Sequence, residues 1–219
     1  MNRSFDALLF DMDGLMLDTE TLSCAATRRA GAELGIRIDE AMLMGMVGLS
    51  EARCTRYIAE YLADEEQAAL LQRTSRACYR RMLEQEEIPL KPGIVELLDW
   101  AQSQDIPRAV ATSTRRAIAD VKLARSGLAR YFRHTIAGDE VARTKPEPDI
   151  YLAAAALLGA APERCIVLED SPYGMQAGVA AGARVILVPD LIAPSQQQRE
   201  QALATCPDLL QALALLREL

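Results

Sequence analysis

A chain of 219 residues, half of them hydrophobic, carries enough apolar material for a sizeable core and is incompatible with wholesale disorder. Its net charge of −7 and pI near 4.9 exclude a chain-wide electrostatic partnership with nucleic acid or an anionic membrane. A small anionic substrate stays compatible, because one local cation or a bound metal reverses the field inside a cleft.

Residues 5–10 read as a buried strand, apolar and followed at once by Asp11 and Gly14. That run is also too short, and too soon interrupted by Asp11, for a secretory signal. The next seventy or so residues show helical spacing without a strand. Leu22, Ala26 and Leu34 mark one helix. Cys54, Tyr57, Ile58, Tyr61 and Leu62 share the apolar face of another, with Ser50 as its N-cap. Asp64 and Gln67 form a capping-box pattern before a third, whose inner face is Ala68, Leu71, Cys78 and Met82. Residues 17–87 are therefore expected to form a helical insert of three to four helices, and residues 1–16 with 88–219 the domain that carries it.

After Pro89 helices and strands alternate. A helix around Ile94, Leu97, Leu98 and Ala101 leads to a strand at 108–112, and a helix from about Arg115 to a short strand at 134–137. A helix at 149–158, stopped by Gly159, precedes a strand at 165–168. Ser171-Pro172 opens the next helix, Gly182 ends it, residues 185–188 are a further strand, and 206–219 close the chain as a helix. Such alternation predicts an α/β fold, a Rossmann-like parallel sheet covered by helices on both faces. The longest apolar stretch, 152–158, is too short to span a bilayer. Cys24, Cys54, Cys78, Cys165 and Cys206 include no Cys-x-x-Cys pair. Neither a zinc site nor a disulfide framework is expected, and a reducing cytoplasm is the expected setting.

In an open parallel sheet, ligands gather beyond the carboxyl ends of the strands. There stand Asp11-Met12-Asp13-Gly14, then Thr112-Ser113-Thr114, and Glu169-Asp170-Ser171, with Thr144-Lys145-Pro146 in the intervening loop. Singly each has an ordinary reading: a turn, a helix cap, a solvated lysine, acids at a helix N-terminus. Together they concentrate acids at one sheet edge, where close carboxylates repel unless a cation neutralises them. Hard oxygen donors suit Mg²⁺, Lys145 and the Thr112 hydroxyl suit phosphate oxygens, and Asp11 suits covalent attack on phosphorus.

The segments Phe10-Asp11-Met12-Asp13-Gly14-Leu15, Ala111-Thr112-Ser113, Lys145-Pro146-Glu147-Pro148-Asp149 and Leu168-Glu169-Asp170-Ser171-Pro172-Tyr173-Gly174 resemble, in order and spacing, the four signature motifs of the haloacid dehalogenase-like superfamily. The likeness is to its β-phosphoglucomutase-like and sugar- or nucleotide-phosphatase branch, whose small helical cap the insert resembles. The resemblance implies an Mg²⁺-dependent phosphatase of a small phosphorylated metabolite. Asp11 would be the nucleophile that forms an aspartyl-phosphate, and Asp13 the general acid and then base. Thr112, Ser113 and Lys145 would bind the phosphoryl group. Mg²⁺ would be held by Asp11, the Asp13 carbonyl and Asp170, with Glu169 close by or acting through water.

Departures narrow the choice within the family. By position Ser23 stands where the mutases carry a cap histidine, and Glu51 where they carry a phosphate-gripping arginine; dehalogenases lack the second aspartate that Asp13 provides. A phosphatase is favoured over a phosphomutase. A phospho-acceptor signalling module is the alternative outside enzymes, but it lacks both a helical insert after the first strand and the paired acid. His134, Trp100, Tyr57 and Tyr61 read as structural, and Arg73, Arg76 and Arg80 as a solvated helix face. Substrate selectivity is expected from residues 15–23 and 44–53, which include Met16, Glu20, Met46 and Leu49.

Overall fold

The computed structural model describes residues 3–46 and 51–219, and the expected N-cap at Ser50, Leu49 and the side chain of Glu51 lie outside what it describes. The chain divides into two compact units, Met1–Asp18 with Pro89–Leu219, and Thr19–Ile88. The helices, in chain order, are α1 (Thr19–Leu34), α2 (Glu40–Met46), α3 (Glu51–Leu62), α4 (Glu65–Gln85), α5 (Ile94–Ser103), α6 (Arg116–Arg125), α7 (Asp149–Leu157), α8 (Pro172–Ala180), α9 (Gln196–Gln201) and α10 (Leu209–Glu218). None is long and apolar enough to cross a membrane.

The larger unit is a six-stranded, wholly parallel sheet in the order β3-β2-β1-β4-β5-β6. Its strands are β1 (Ala7–Phe10), β2 (Arg108–Ala111), β3 (Thr135–Ile136), β4 (Cys165–Glu169), β5 (Arg184–Leu187) and β6 (Ala204–Thr205). Every residue of β1 and β4 is buried, as expected for central parallel strands covered on both faces. Ala7, Leu9, Cys165 and Val167 pack with Ile150, Tyr151, Ala154 and Ala155 of α7 and Met175 and Ala177 of α8. The alternate residue Phe10 meets Phe132 edge-on at 5.6 Å. The chain runs from β1 outward to β2 and β3, then crosses back to β4 on the other side of β1. The strand order therefore reverses between β1 and β4, the place in such sheets where ligands bind.

Two elements differ from expectation, and a third is additional to it. The first strand starts at Ala7, although Phe5 before it is buried. Residues 206–208 do not join the last helix: Cys206 N–H donates to Leu187 O, extending the two-residue edge strand β6, and Asp208 then caps α10 by accepting from Gln211 N. The Gln196–Gln201 segment is a short helix, opened by a reciprocal capping box between Ser195 and Gln198.

Among the described residues, the smaller unit consists of the four helices α1 to α4. α4 packs against α1 and α3, and the Thr27 and Ser75 hydroxyls bond across α1 and α4 at 2.9 Å. Asp64 caps α4 by accepting from Gln67 N at 2.9 Å. Of the face expected on α3, only Ile58 is buried. Cys54, Tyr57 and Leu62 are half-buried and Tyr61 is exposed, its hydroxyl donating to Asp39. Arg73, Arg76 and Arg80 are exposed.

Candidate active site

The register of the central strands builds the site. Phe10 is paired with Leu168 and with Val110, so the residues that follow β1 emerge beside the end of β4. Asp11 N–H still donates to Leu168 O at 3.1 Å, which fixes the Asp11 backbone against Glu169. Carboxylate oxygens of Asp11, Glu169 and Asp170 all lie within 4.8 Å of one another. Asp11 is almost wholly buried, and Glu169 entirely so.

Two glycines make this approach possible. Gly14 has φ +84°, and a Cβ there would run into the Asp170 carboxylate. A Cβ at Gly174, inside the first turns of α8, would collide with the Glu169 carboxyl. Ser171 caps the same helix by accepting from Gly174 N at 3.1 Å, with Pro172 at its first position.

Lys145 reaches in from the loop before α7. Its Nζ donates to Asp11 Oδ1, and to Glu169 Oε1 at 2.6 Å, while lying 4.9 Å from the centre of the Tyr151 ring. Glu169 is saturated with donors. Oε1 accepts from Lys145 and from the Tyr151 hydroxyl at 2.6 Å; Oε2 accepts from Asp170 N, Ser171 N and Ser171 Oγ, each at 3.0 Å.

The electrostatics follow from three carboxylates facing one ammonium. Burial raises Glu169, but Lys145 and the Tyr151 and Ser171 donors overcome it and hold the group below its ordinary value. Burial pushes Asp11 up to about 7 despite Lys145, with the charge of Glu169 adding to the push. Asp170 lies well above the usual carboxylate range through burial and the neighbouring charges of Glu169 and Asp11. Burial opposes the Lys145 ammonium too, and Asp11 with Glu169 outweighs it. Lys145 and Glu169 form the matched pair. The charge of Asp11 and Asp170 is left without an equal counter-charge, and a divalent cation among their oxygens would supply it.

Asp13 sits to one side of this cluster. Thr114 Oγ1 donates to its Oδ2 at 2.6 Å, and Lys122 Nζ to its Oδ1 at 2.6 Å. Thr112 is buried and its Oγ1 accepts from Thr114 N at 3.1 Å. A hydroxyl that accepts from the main chain keeps its own proton for another acceptor. Ser113 is exposed, with Gly138 packed so closely on its backbone that a Cβ would not fit.

Thus the structure brings together Asp11, Glu169, Asp170 and Lys145, with Asp13 and Thr112 joined through Thr114. Sequence reasoning missed Tyr151, Lys122 and the part of Thr114 as a donor to Asp13. Lys122 left a signal: at helical spacing it shares the buried face of Ala119 and Leu123, where a lysine requires a partner. His134 is half-buried beside β3 and contributes its carbonyl to Val110 N, away from these groups.

Comparison with known proteins identifies the family. Residues 8–188 match the family model of haloacid dehalogenase-like hydrolases. A fructose-1-phosphate phosphatase of Escherichia coli, YqaB, is 35% identical over 83% of this chain and 95% of its own length. A phosphorylated carbohydrates phosphatase of Thermotoga maritima is 33% identical over 81% of this chain and 82% of its own. The solved structure of a HAD family hydrolase from Deinococcus radiodurans, with bound phosphate and sodium, superposes with a TM-score of 0.82 at 27% identity, covering 99% of this chain and 97% of that one. With the family model spanning the sheet from β1 to the end of β5, the chain belongs to the haloacid dehalogenase-like hydrolases.

Proposed function

We propose that the protein is a divalent-metal-dependent phosphatase that hydrolyses a small phosphorylated metabolite, of sugar-phosphate type, through an aspartyl-phosphate on Asp11. One observation carries the reading: three carboxylates converge on a single ammonium at the switch point of a parallel sheet. Two relatives that act on phosphorylated sugars support the substrate class, and a related structure that holds phosphate supports phosphate binding.

In the first step an Asp11 carboxylate oxygen attacks phosphorus and the phosphorus–ester oxygen bond breaks. Asp13 gives a proton to the departing alkoxide, so the alcohol leaves neutral. In the second step Asp13, now a carboxylate, takes a proton from water as that water attacks phosphorus. The acyl-phosphate bond breaks and Asp11 is regenerated. Lys145, the Thr112 hydroxyl and Ser113 hold the phosphoryl oxygens, and positioning with charge neutralisation supplies most of the catalysis.

The donor set fits Mg²⁺. Asp11, Asp170 and the Asp13 carbonyl would hold it, and Glu169, whose oxygens already accept from Lys145, Tyr151, Asp170 N and Ser171, would act through water. Bound there, Mg²⁺ supplies charge neutralisation for the phosphoryl group. The Thr19–Ile88 unit serves as the cap that selects the leaving group. Five free thiols agree with a reducing, cytoplasmic setting.

Phosphate release from a panel of sugar phosphates, nucleotides and small phosphomonoesters with Mg²⁺, without any added phosphate acceptor, tests the proposal. Hydrolysis of sugar phosphates is expected; turnover only when a second phosphorylated sugar is supplied would identify a mutase instead.

A further inference from the structure

Lys122 lies in the last turn of α6 with its side chain only 6% exposed, and a lysine there is at odds with the apolar neighbours Ala119 and Leu123. Its Nζ donates to Asp13 Oδ1 at 2.6 Å. From the loop ahead of the same helix, Thr114 Oγ1 donates to the other oxygen, Oδ2, at 2.6 Å. Thr114 is itself tied by its N–H to the Thr112 hydroxyl oxygen. Each oxygen of the Asp13 carboxylate thus meets a donor, and the two donors come from different points of the chain.

An aspartate has two side-chain torsions, and the second, about an sp³–sp² bond, is broad. One donor would leave the carboxylate free to turn; a donor on each oxygen fixes both torsions. General acid–base catalysis depends on that orientation, because the proton must pass along a hydrogen bond to one particular oxygen. We propose that Lys122, with Thr114, is a positioning residue for proton transfer, holding the Asp13 carboxylate where it meets the leaving oxygen and later the attacking water. The inference rests on the proposed role of Asp13.

The consequence is selective. Loss of orientation at Asp13 slows only the steps that move a proton, and a misplacement of about 1 Å costs up to about 10²-fold. Lys122→Met keeps the stem and removes the ammonium. With a sugar phosphate, whose alkoxide needs protonation, kcat is expected to fall roughly 10–100-fold with KM changed by less than about 2-fold. With an aryl phosphate the burst of phenolate should stay near the wild-type rate, while steady-state turnover falls because dephosphorylation still needs the base. Lys122→Arg should recover part of the loss, and Thr114→Val should reproduce the leaving-group dependence with a smaller loss.

Circular dichroism and thermal melting establish that each variant is folded. If Lys122→Met is not, Lys122→Arg and Thr114→Val carry the same test. A phenolate burst slowed as much as sugar-phosphate turnover, or no loss on either ester, in the folded variants would mean that the ion pair only balances charge, and would overturn the inference while the phosphatase reading stands. A wild-type protein that hydrolyses neither ester overturns the phosphatase reading and this inference with it.

Discussion

Replacing Asp170 with Asn should stabilise the metal-free protein while destroying its function. Asp170 faces two carboxylates, Asp11 and Glu169, and one ammonium, Lys145, so the excess is one like-charge pair. At the 4.8 Å limit of that cluster and an effective dielectric of about 20, one such pair is worth roughly 3 kcal/mol. Partial protonation relieves some of it, leaving about 1–3 kcal/mol. The sign follows from the raised pKa of Asp170: a carboxyl held above its unfolded value weakens folding once the pH exceeds the unfolded value, and at neutral pH Asn removes that burden. For a chain of this size each kcal/mol moves the melting temperature by about 2–4 °C, so Asp170→Asn should melt about 2–12 °C higher in chelator. With saturating Mg²⁺ the order should narrow or reverse, because only the wild type gains from the ion, by about 2.7 kcal/mol at a hundredfold excess over Kd. Thermal melting of both proteins, in chelator and in Mg²⁺, reads all four states. A variant that melts below the wild type in chelator would refute the argument that these carboxylates are held together against their repulsion.

Other outcomes follow from the same geometry. Asp11→Asn should reduce turnover to background and form no phosphoenzyme, as measured by rapid quench. Asp13→Asn keeps its main-chain carbonyl, so substrate should still bind, while sugar-phosphate turnover falls roughly 10²–10⁴-fold in steady-state assays. Gly174→Ala should destabilise by about 1–3 kcal/mol in a melt, because its methyl displaces the fully buried Glu169 carboxyl from the Lys145, Tyr151 and Ser171 donors. Exchange of residues 44–53 for a relative's segment should change relative kcat/KM among sugar phosphates while leaving aryl phosphate hydrolysis largely intact. Loss of both activities in a folded protein would contradict the division of labour.

Much of the site was legible because its chemistry is written at strand ends. Asp11, Asp13, Glu169 and Asp170 follow apolar runs whose termini the alternation of strands and helices locates, and the parallel register then aligns them. Lys122 and Tyr151 were not legible as site residues. Each occupies a core position of a helix, and its partner is more than fifteen residues away, so only the packing of α6 and α7 brings Lys122 to Asp13 and Tyr151 to Glu169. β6 escaped because two residues pairing by their main chain with β5 leave no side-chain period to read. The face expected on α3 was wrong for the opposite reason. Its period is real, but Tyr61 spends its hydroxyl on Asp39 at the surface, and only Ile58 goes fully into the interior.

The central claim is that the phosphoryl group rests on Asp11. Asp13→Asn, mixed with an aryl phosphate and Mg²⁺ and quenched in acid within its first turnover, should yield a hydroxylamine-labile phosphate on the peptide that contains Asp11. Phosphate on another residue, or a burst of phenolate without any phosphorylated peptide, would contradict it.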